Sequence, residues 1–384
     1  MKLALVGPTY PYRGGIAHHT AMLFRALAAH EHQVSLYSFK RQYPRWLFPG
    51  RTDRDPSALK LDAECEYTLD SLNPLTWWAT AQAIRARRPD VLILQWWVPF
   101  FAPMWMVLAQ AARRVGIRVL FICHNVLPHE RRPWDVWLSR QTLGLGDGFV
   151  VHSQEEKAQL QALLPGRRVE VSPHPIYDMF ASQAIPCDEA RRKLALPLSA
   201  PILLFFGFVR EYKGLRYLLE AIPAIRTEFA GVRLLVVGEF WQDKQTYLDQ
   251  IERLDIARNV VVVDRYVPNE EVPVYFAAAD VVVLPYTDVT QSGVVQLAFG
   301  FGLPVITTQV GGLAEVVADG ETGLLVPPGD CAALAEGVRR YFREELKARM
   351  AEAIKQARCR FEWKKLVVLI EEMGGSDQDC LASN

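Results

Sequence analysis

The chain has little that would tie it to an oxidising compartment or to a nucleic acid. Its six cysteines (Cys65, Cys123, Cys187, Cys331, Cys359, Cys380) are scattered, with no CxxC and no paired spacing. This argues against a zinc site and a disulfide framework, and fits a reducing cytoplasm. Net charge is also missing: 43 Lys+Arg stand against 43 Asp+Glu, and no nucleic-acid partner is expected. The opening MKLALVGPTY moves into a strand and a glycine loop without a long apolar stretch or a small-residue cleavage site. A cytoplasmic protein without a secretory leader is therefore the expectation. The dinucleotide fingerprint GxGxxG is absent too, because Pro8, Tyr10 and Pro11 occupy the loop GPTYPYRGGIAHHT (7–20). No solenoid repeat or low-complexity tract is visible.

What is present is a packed α/β chain. Its 384 residues are 50% hydrophobic and 22% charged, and that length makes two domains the natural expectation. In the first half, short apolar runs appear at 2–7, 33–39, 91–95, 118–123 and 148–153, with helical-period segments at 16–30, 77–88, 102–115 and 153–164. In the second half, strands are expected at 201–207, 233–238, 260–263, 281–285, 304–307 and 322–326. Strands apolar throughout and separated by helices indicate parallel sheets covered on both faces. The fold class is α/β, two Rossmann-like doubly wound domains. The stretch 173–200, with four prolines and a short charged helix, reads as the linker, and 361–373 as an amphipathic C-terminal helix.

Charge and tryptophan are unevenly placed. Residues 1–185 carry 21 Lys+Arg against 15 Asp+Glu, residues 186–384 carry 22 against 28, and eight of the ten tryptophans precede residue 185. The halves are expected to meet different partners. Val91 to Ala112 is uncharged for 22 residues, yet Gln95, Pro99 and Pro103 break it into strand, loop and helix start. Surface association is the more plausible membrane relation, with Trp46, Phe48, Trp96, Trp97 and Phe100 at a lipid headgroup layer if they are exposed.

Three loops carry candidate chemistry. Gly14 and Gly15 precede a helical run, where backbone N–H groups and the helix N-terminus favour an anion. A tight turn without a ligand would explain the same glycines. FGFVREYKG (206–214) places Arg210 and Lys213 at the end of a strand, where open α/β sheets bind ligands and two cations neutralise a diphosphate. In PYTDVTQSGVVQLAFGFGLPVI (285–306), Ser292, Gly293 and Val294 open a helix that offers further N–H donors. Asp53-Arg54-Asp55 has the DxD spacing of a metal site, but it lies in a polar loop and reads as solvated charge.

Taken together, these landmarks resemble the retaining GT-B glycosyltransferases of family 4, also called group 1. The likeness runs over nearly the whole chain. It rests on GGIA (14–17), the His of CHN (123–125), VREYKG (209–214), VVG (236–238), GLPV (302–305) and GETGLLVPPGD (320–330). The resemblance implies two domains facing a central cleft: an acceptor domain (1–180), a nucleotide-sugar domain (181–360), and a tail (361–384) packing back on the first. It implies a UDP- or GDP-linked sugar donor, a glycan or lipid-linked acceptor, hexosyl transfer with retention, and no metal or other cofactor. Gly14, Gly15, Arg210 and Lys213 would meet the diphosphate, supported by the amides of Ser292, Gly293 and Val294. Gly238, Glu239, Arg265, Tyr266 and Val267 would border the base, and His124 would approach the transferred sugar. The family's E-x7-E pair is missing: Val289 and Leu297 fall in register, and Asp288 and Gln296, one residue earlier, are the candidate substitutes. A catalytically silent sugar-nucleotide binder and a nucleotide-sugar epimerase of the same fold remain open. Peripheral association with the inner membrane face is a further expectation.

Overall fold

The computed structural model describes residues 1–44, 46–48, 50–128, 132–180, 185–241 and 243–375. The chain divides into two compact units, one of residues 1–55, 60–173 and 362–384, the other of residues 56–59 and 174–361. The division falls at 173/174 and 361/362 rather than at 180/181 and 360/361, and the segment Pro56–Leu59 belongs with the second unit.

The first unit contains β1 (Lys2–Val6), α1 (Gly15–Ala29), β2 (Gln33–Arg41), β3 (Glu66–Asp70), α2 (Pro74–Arg87), β4 (Val91–Trp96) and α3 (Ala102–Arg113). It continues with β5 (Arg118–Cys123), α4 (Asp135–Leu143), β6 (Gly148–Val151), α5 (Gln154–Leu163) and β7 (Val169–Val171). The sheet order is β3-β2-β1-β4-β5-β6-β7, with every pairing parallel. Strand order reverses between β1 and β4, which opens a crevice at the carboxyl ends of those strands. Two strands were not expected. β3 is a half-exposed EYTLD and β7 only three residues long, so neither has the continuous apolar run of the central strands.

One face of this sheet packs Phe39, Trp96, Trp97, Phe101 and Trp105, with Trp97 and Phe101 centroids 4.6 Å apart. Each such side chain contributes roughly 1.5–3 kcal/mol on burial. Trp96 and Trp97 are 0% and 5% exposed, so they are core residues and not the lipid-facing groups the sequence suggested. The other face packs Leu3, Leu5, Leu23 and Leu27 against Leu366, Val367, Ile370 and Met373 of α14 (Trp363–Gly374), the last of the described helices. Arg118 Nη1 donates to the Met373 carbonyl at 2.8 Å and satisfies one of that helix's terminal acceptors. The uncharged run from Val91 resolves into β4, a 3₁₀ turn and α3, and among the described residues no helix is long and apolar enough to cross a membrane.

The second unit contains α6 (Cys187–Lys193), β8 (Ile202–Phe206), α7 (Leu215–Arg226), β9 (Arg233–Val237), α8 (Lys244–Arg253), β10 (Val260–Val263) and α9 (Val272–Ala278). It continues with β11 (Val281–Leu284), α10 (Gly293–Gly300), β12 (Val305–Thr308), α11 (Leu313–Val316), β13 (Gly323–Val326), α12 (Cys331–Arg343) and α13 (Lys347–Ala357). The order β10-β9-β8-β11-β12-β13 repeats the same parallel scheme, with its reversal between β8 and β11. The loops leaving β8 and β11 therefore flank this unit's own crevice.

Candidate functional site

In the second unit, three loops are stitched together at the carboxyl end of the sheet. The loop after β8 is tied to the loop after β9 by Gly207 N to Val237 O and Val209 N to Glu239 O, both at 2.9 Å. It is tied to the loop after β11 by Thr287 N to Tyr212 O at 2.7 Å. Glycine is required at two of the junctions. Gly214 has φ 66°, and a Cβ there would overlap the Pro285 carbonyl oxygen; Gly238 has φ 148°, and its Cβ would overlap the Gly207 carbonyl oxygen.

These ties hold Arg210 and Lys213 over a bed of aromatic rings. The Arg210 guanidinium carbon lies 5.4 Å from the Tyr212 ring centroid and 5.6 Å from that of Trp241. The Lys213 ammonium lies 5.6 Å from the Tyr286 centroid. Phe208 and Trp241 stack with centroids 4.3 Å apart. Lys213 makes no ion pair among the described residues, and burial together with the charge of Arg210 brings its pKa down to about 8. The residue as a whole is only part-buried, but its ammonium is enclosed, since a Cβ on Gly207 would stand 3.1 Å from Nζ. Phe208, Tyr212, Trp241 and Tyr286 were not anticipated from sequence. The signal for Trp241 was its place just past the glycine that ends β9.

Ser292 is the N-cap of α10, and the helix begins at Gly293 and Val294, whose amides belong to the turn that lacks intrahelical acceptors. Asp288 is exposed in the loop before it. Gln296 is 1% exposed one turn into the helix, and its Oε1 is a buried acceptor with no hydrogen-bond donor among the described residues. Val289 and Leu297, in register with the glutamate pair, are 7% and 8% exposed. Carboxylates in those two places would enter the core. Arg265 is engaged by Glu271, with Nη1 to Oε1 at 3.2 Å and a second, Nη2 to Oε2 bond, and its Nη2 also reaches Tyr275 Oη at 3.4 Å. Its guanidinium therefore serves the protein, and what this segment presents at the strand end is Tyr266 and the backbone, with Val267 buried. Glu239 is likewise buried.

In the first unit, α1 starts at Gly15 with Gly14 as its cap at φ 111°, and a Cβ on either glycine would meet open space. The Asp53-Arg54-Asp55 triplet is not simply solvated. Arg13 N donates to the Asp53 carbonyl at 3.0 Å, Arg54 sits 4.4 Å over the Tyr12 ring, and Asp55 is buried 3.8 Å from His18 Nε2. The triplet is a brace for the glycine loop. His124 is 5% exposed and lies in a group the sequence did not reveal. Its ring centroid is 4.7 Å from that of His19 and 5.3 Å from that of His152, and its Nε2 is 2.5 Å from Gln95 Oε1. Burial lowers the His152 pKa to about 4. Among the described residues no group of three His, Cys, Asp or Glu side chains is arranged to hold a metal ion.

Comparison with known proteins agrees with this architecture. Residues 13–178 match the family described as Glycosyltransferase Family 4, and residues 200–344 match Glycosyl transferases group 1. A D-inositol 3-phosphate glycosyltransferase of Corynebacterium glutamicum (strain R) is 31% identical over 235 residues, covering 58% of this chain and 56% of that protein. The chain thus spans little more than half the length of the first curated relatives it matches. In fold, it is similar to sucrose-phosphate synthase from Thermosynechococcus elongatus (TM-score 0.73, 21% identity, 100% of both chains). It is also similar to Anabaena HepE in complex with UDP (TM-score 0.74, 18% identity, 97% of this chain and 99% of that one). Two family matches that between them take in most of the chain, and two doubly wound sheets of one topology, place it in a single group: the chain belongs to the GT-B group 1 glycosyltransferases.

Proposed function

We propose that this protein transfers a hexosyl group from a UDP- or GDP-linked sugar to a glycan or lipid-linked acceptor, with retention and without a divalent metal. The observation that carries the reading is the Lys213 ammonium, held beside Arg210 and without a carboxylate partner among the described residues. A protein gains nothing in stability from such a charge, whereas a diphosphate at the end of β8 would neutralise it. HepE has been solved with UDP and with UDP-glucose, which supports a nucleoside diphosphate as the ligand of this unit.

In the proposed reaction the bond from the sugar C1 to the diphosphate oxygen breaks and the acceptor oxygen bonds to C1. The acceptor proton passes to the departing phosphate. Lys213, Arg210 and the amides at Ser292, Gly293 and Val294 stabilise the growing negative charge, each well-placed donor contributing on the order of 3 kcal/mol. Gly14 and Gly15 offer further backbone donors, Gln296 and Asp288 stand in for the missing glutamates, and Gly238, Glu239 and the 265–267 segment border the base. His124 serves the sugar.

The test is calorimetry with UDP and GDP, followed by turnover with their sugars in the presence of EDTA. Lys213→Ala is expected to lower turnover at least ~10²-fold. An unchanged rate removes Lys213 from the site, and a manganese requirement overturns the metal-free reading. The burial of Val289 and Leu297 favours one alternative, a silent nucleotide-sugar binder, for which binding without transfer would be the signature. We also propose peripheral membrane association through exposed aromatics of the first unit, notably Trp46 (80% exposed), Trp78 (63%), Trp137 (61%) and Trp134 (54%). Vesicle flotation that is unchanged when these tryptophans are replaced by serine would remove that part.

A further inference from the structure

The crevice of the first unit holds a polar side chain that neither the family landmarks nor the proposed reaction uses. Gln95 lies on β4, the central strand of the sheet, and is 0% exposed. Strand register sets its place. Val6 pairs with Leu94, so Gly7 comes level with Gln95, and a Cβ on Gly7 would stand 2.7 Å from Gln95 Cγ and 2.8 Å from Thr20 Oγ1. The glycine that ends β1 therefore leaves room for the glutamine stem.

Two imidazoles meet the Gln95 amide. Its Oε1 is 2.5 Å from His124 Nε2, and its Nε2 is 3.4 Å from His19 Nδ1. A carbonyl oxygen only accepts and an amide nitrogen only donates. In this arrangement neutral His124 carries its proton on Nε2, and His19 presents an unprotonated Nδ1. The reversed amide would bring two nitrogens to 2.5 Å, shorter than any normal N–H···N contact. His152 is fixed independently, because its Nδ1 is 2.8 Å from the Ser172 carbonyl and must donate there. Trp363 closes the group with its ring 5.2 Å from His19, and Glu156 anchors the turn by accepting from His152 N at 3.1 Å.

We infer that Gln95 is a positioning residue, which selects the Nε2–H tautomer of His124 so that Nδ1 is an acceptor for a hydroxyl of the transferred sugar. This rests on the reading of His124 as the sugar-side imidazole. An amide is suited to the task because it does not titrate, so the selected tautomer does not depend on a neighbour's protonation.

The test uses the full chain with ¹⁵N-labelled histidine and the near-isosteric Gln95→Met. In the unaltered protein, His124 is expected to show a protonated Nε2 and a bare Nδ1. In Gln95→Met that preference is expected to be lost, with kcat falling ~10-fold or more and the donor KM within about 2-fold, the pattern of lost orientation. Should Gln95→Met fail to fold, Gln95→Glu keeps the acceptor oxygen. There His124 is expected to retain its Nε2 proton while His19 moves its own to Nδ1 to donate to the new carboxylate. An Nε2 proton on His124 that persists in Gln95→Met, or an unaltered His19 in Gln95→Glu, overturns the inference. The nitrogen spectra are read without turnover, so a failure of the transfer reading would be seen separately, as absent product with the tautomers intact.

Discussion

Replacing Lys213 by methionine should strengthen the free protein while it weakens the nucleotide site. Moving an ammonium from its ordinary 10.5 to about 8 corresponds to a penalty on the order of 3 kcal/mol on the charged form, arising first from burial and then from Arg210. The side chain keeps some contact with solvent, so a discounted gain of about 1–2 kcal/mol is expected for Lys213→Met, or several degrees in Tm for a unit of this size. The sign can be checked with pH. Between about 8 and 10.5 the unfolded chain holds a proton on Lys213 that the folded chain has released, so this residue's contribution to stability rises across that window. Below 8 both forms are charged and the full penalty stands, and there the variant should show its largest advantage. A bound diphosphate reverses the balance by favouring the ammonium, so UDP binding near pH 8–9 should be accompanied by uptake of a proton at Lys213, and UDP should bind less tightly at higher pH. Calorimetry of UDP binding in two buffers of different ionisation enthalpy measures that uptake, and thermal unfolding without ligand measures the gain. If Lys213→Met lowers the Tm as an ordinary packing defect would, or binds UDP with unchanged affinity, the reasoning fails.

Other positions give separate checks. His152, at about 4 when folded and 6.5 when free, should cost stability as pH falls from 6.5 towards 4, by on the order of 3 kcal/mol; urea unfolding of His152→Gln should show a flatter profile over that range. Gly214→Ala combines a positive φ with overlap on the Pro285 carbonyl oxygen, so a loss of at least ~2 kcal/mol together with weaker nucleotide binding is expected from parallel melts and titrations. Gln296→Leu removes a buried acceptor that has no donor among the described residues; stability should hold or rise by about 1 kcal/mol while affinity falls for the nucleotide sugar more than for the nucleotide, and equal losses for both would take Gln296 off the sugar.

Much of the fold was legible because central parallel strands must be apolar on both faces. The runs at 91–95, 118–123, 201–207 and 281–285 announced β4, β5, β8 and β11 for that reason, with Gln95 the polar residue in its run. The edge strands β3 and β7 were silent, because an edge needs burial on fewer sides and tolerates Glu66, Asp70 and Glu170. The same logic divides the site. Arg210 and Lys213 could be placed from the chain alone, since the end of a parallel strand is where a ligand crevice must open. Trp96 and Trp97 could not be told from surface tryptophans, because composition carries no direction.

By itself, then, the sequence determined the alternation of strand and helix, the doubling of the α/β unit, and the position of two cations and a helix start at strand ends. Periodicity and glycine placement are local properties and survive in one dimension. Only the tertiary structure decided that Lys213 lies against an aromatic ring beside Arg210, that Arg265 is engaged by Glu271, and that Gln95 joins His19 to His124. Those facts depend on strand register and loop stitching, which bring together side chains far apart in the chain. The energy of a buried charge or amide is set by those neighbours and not by its own identity.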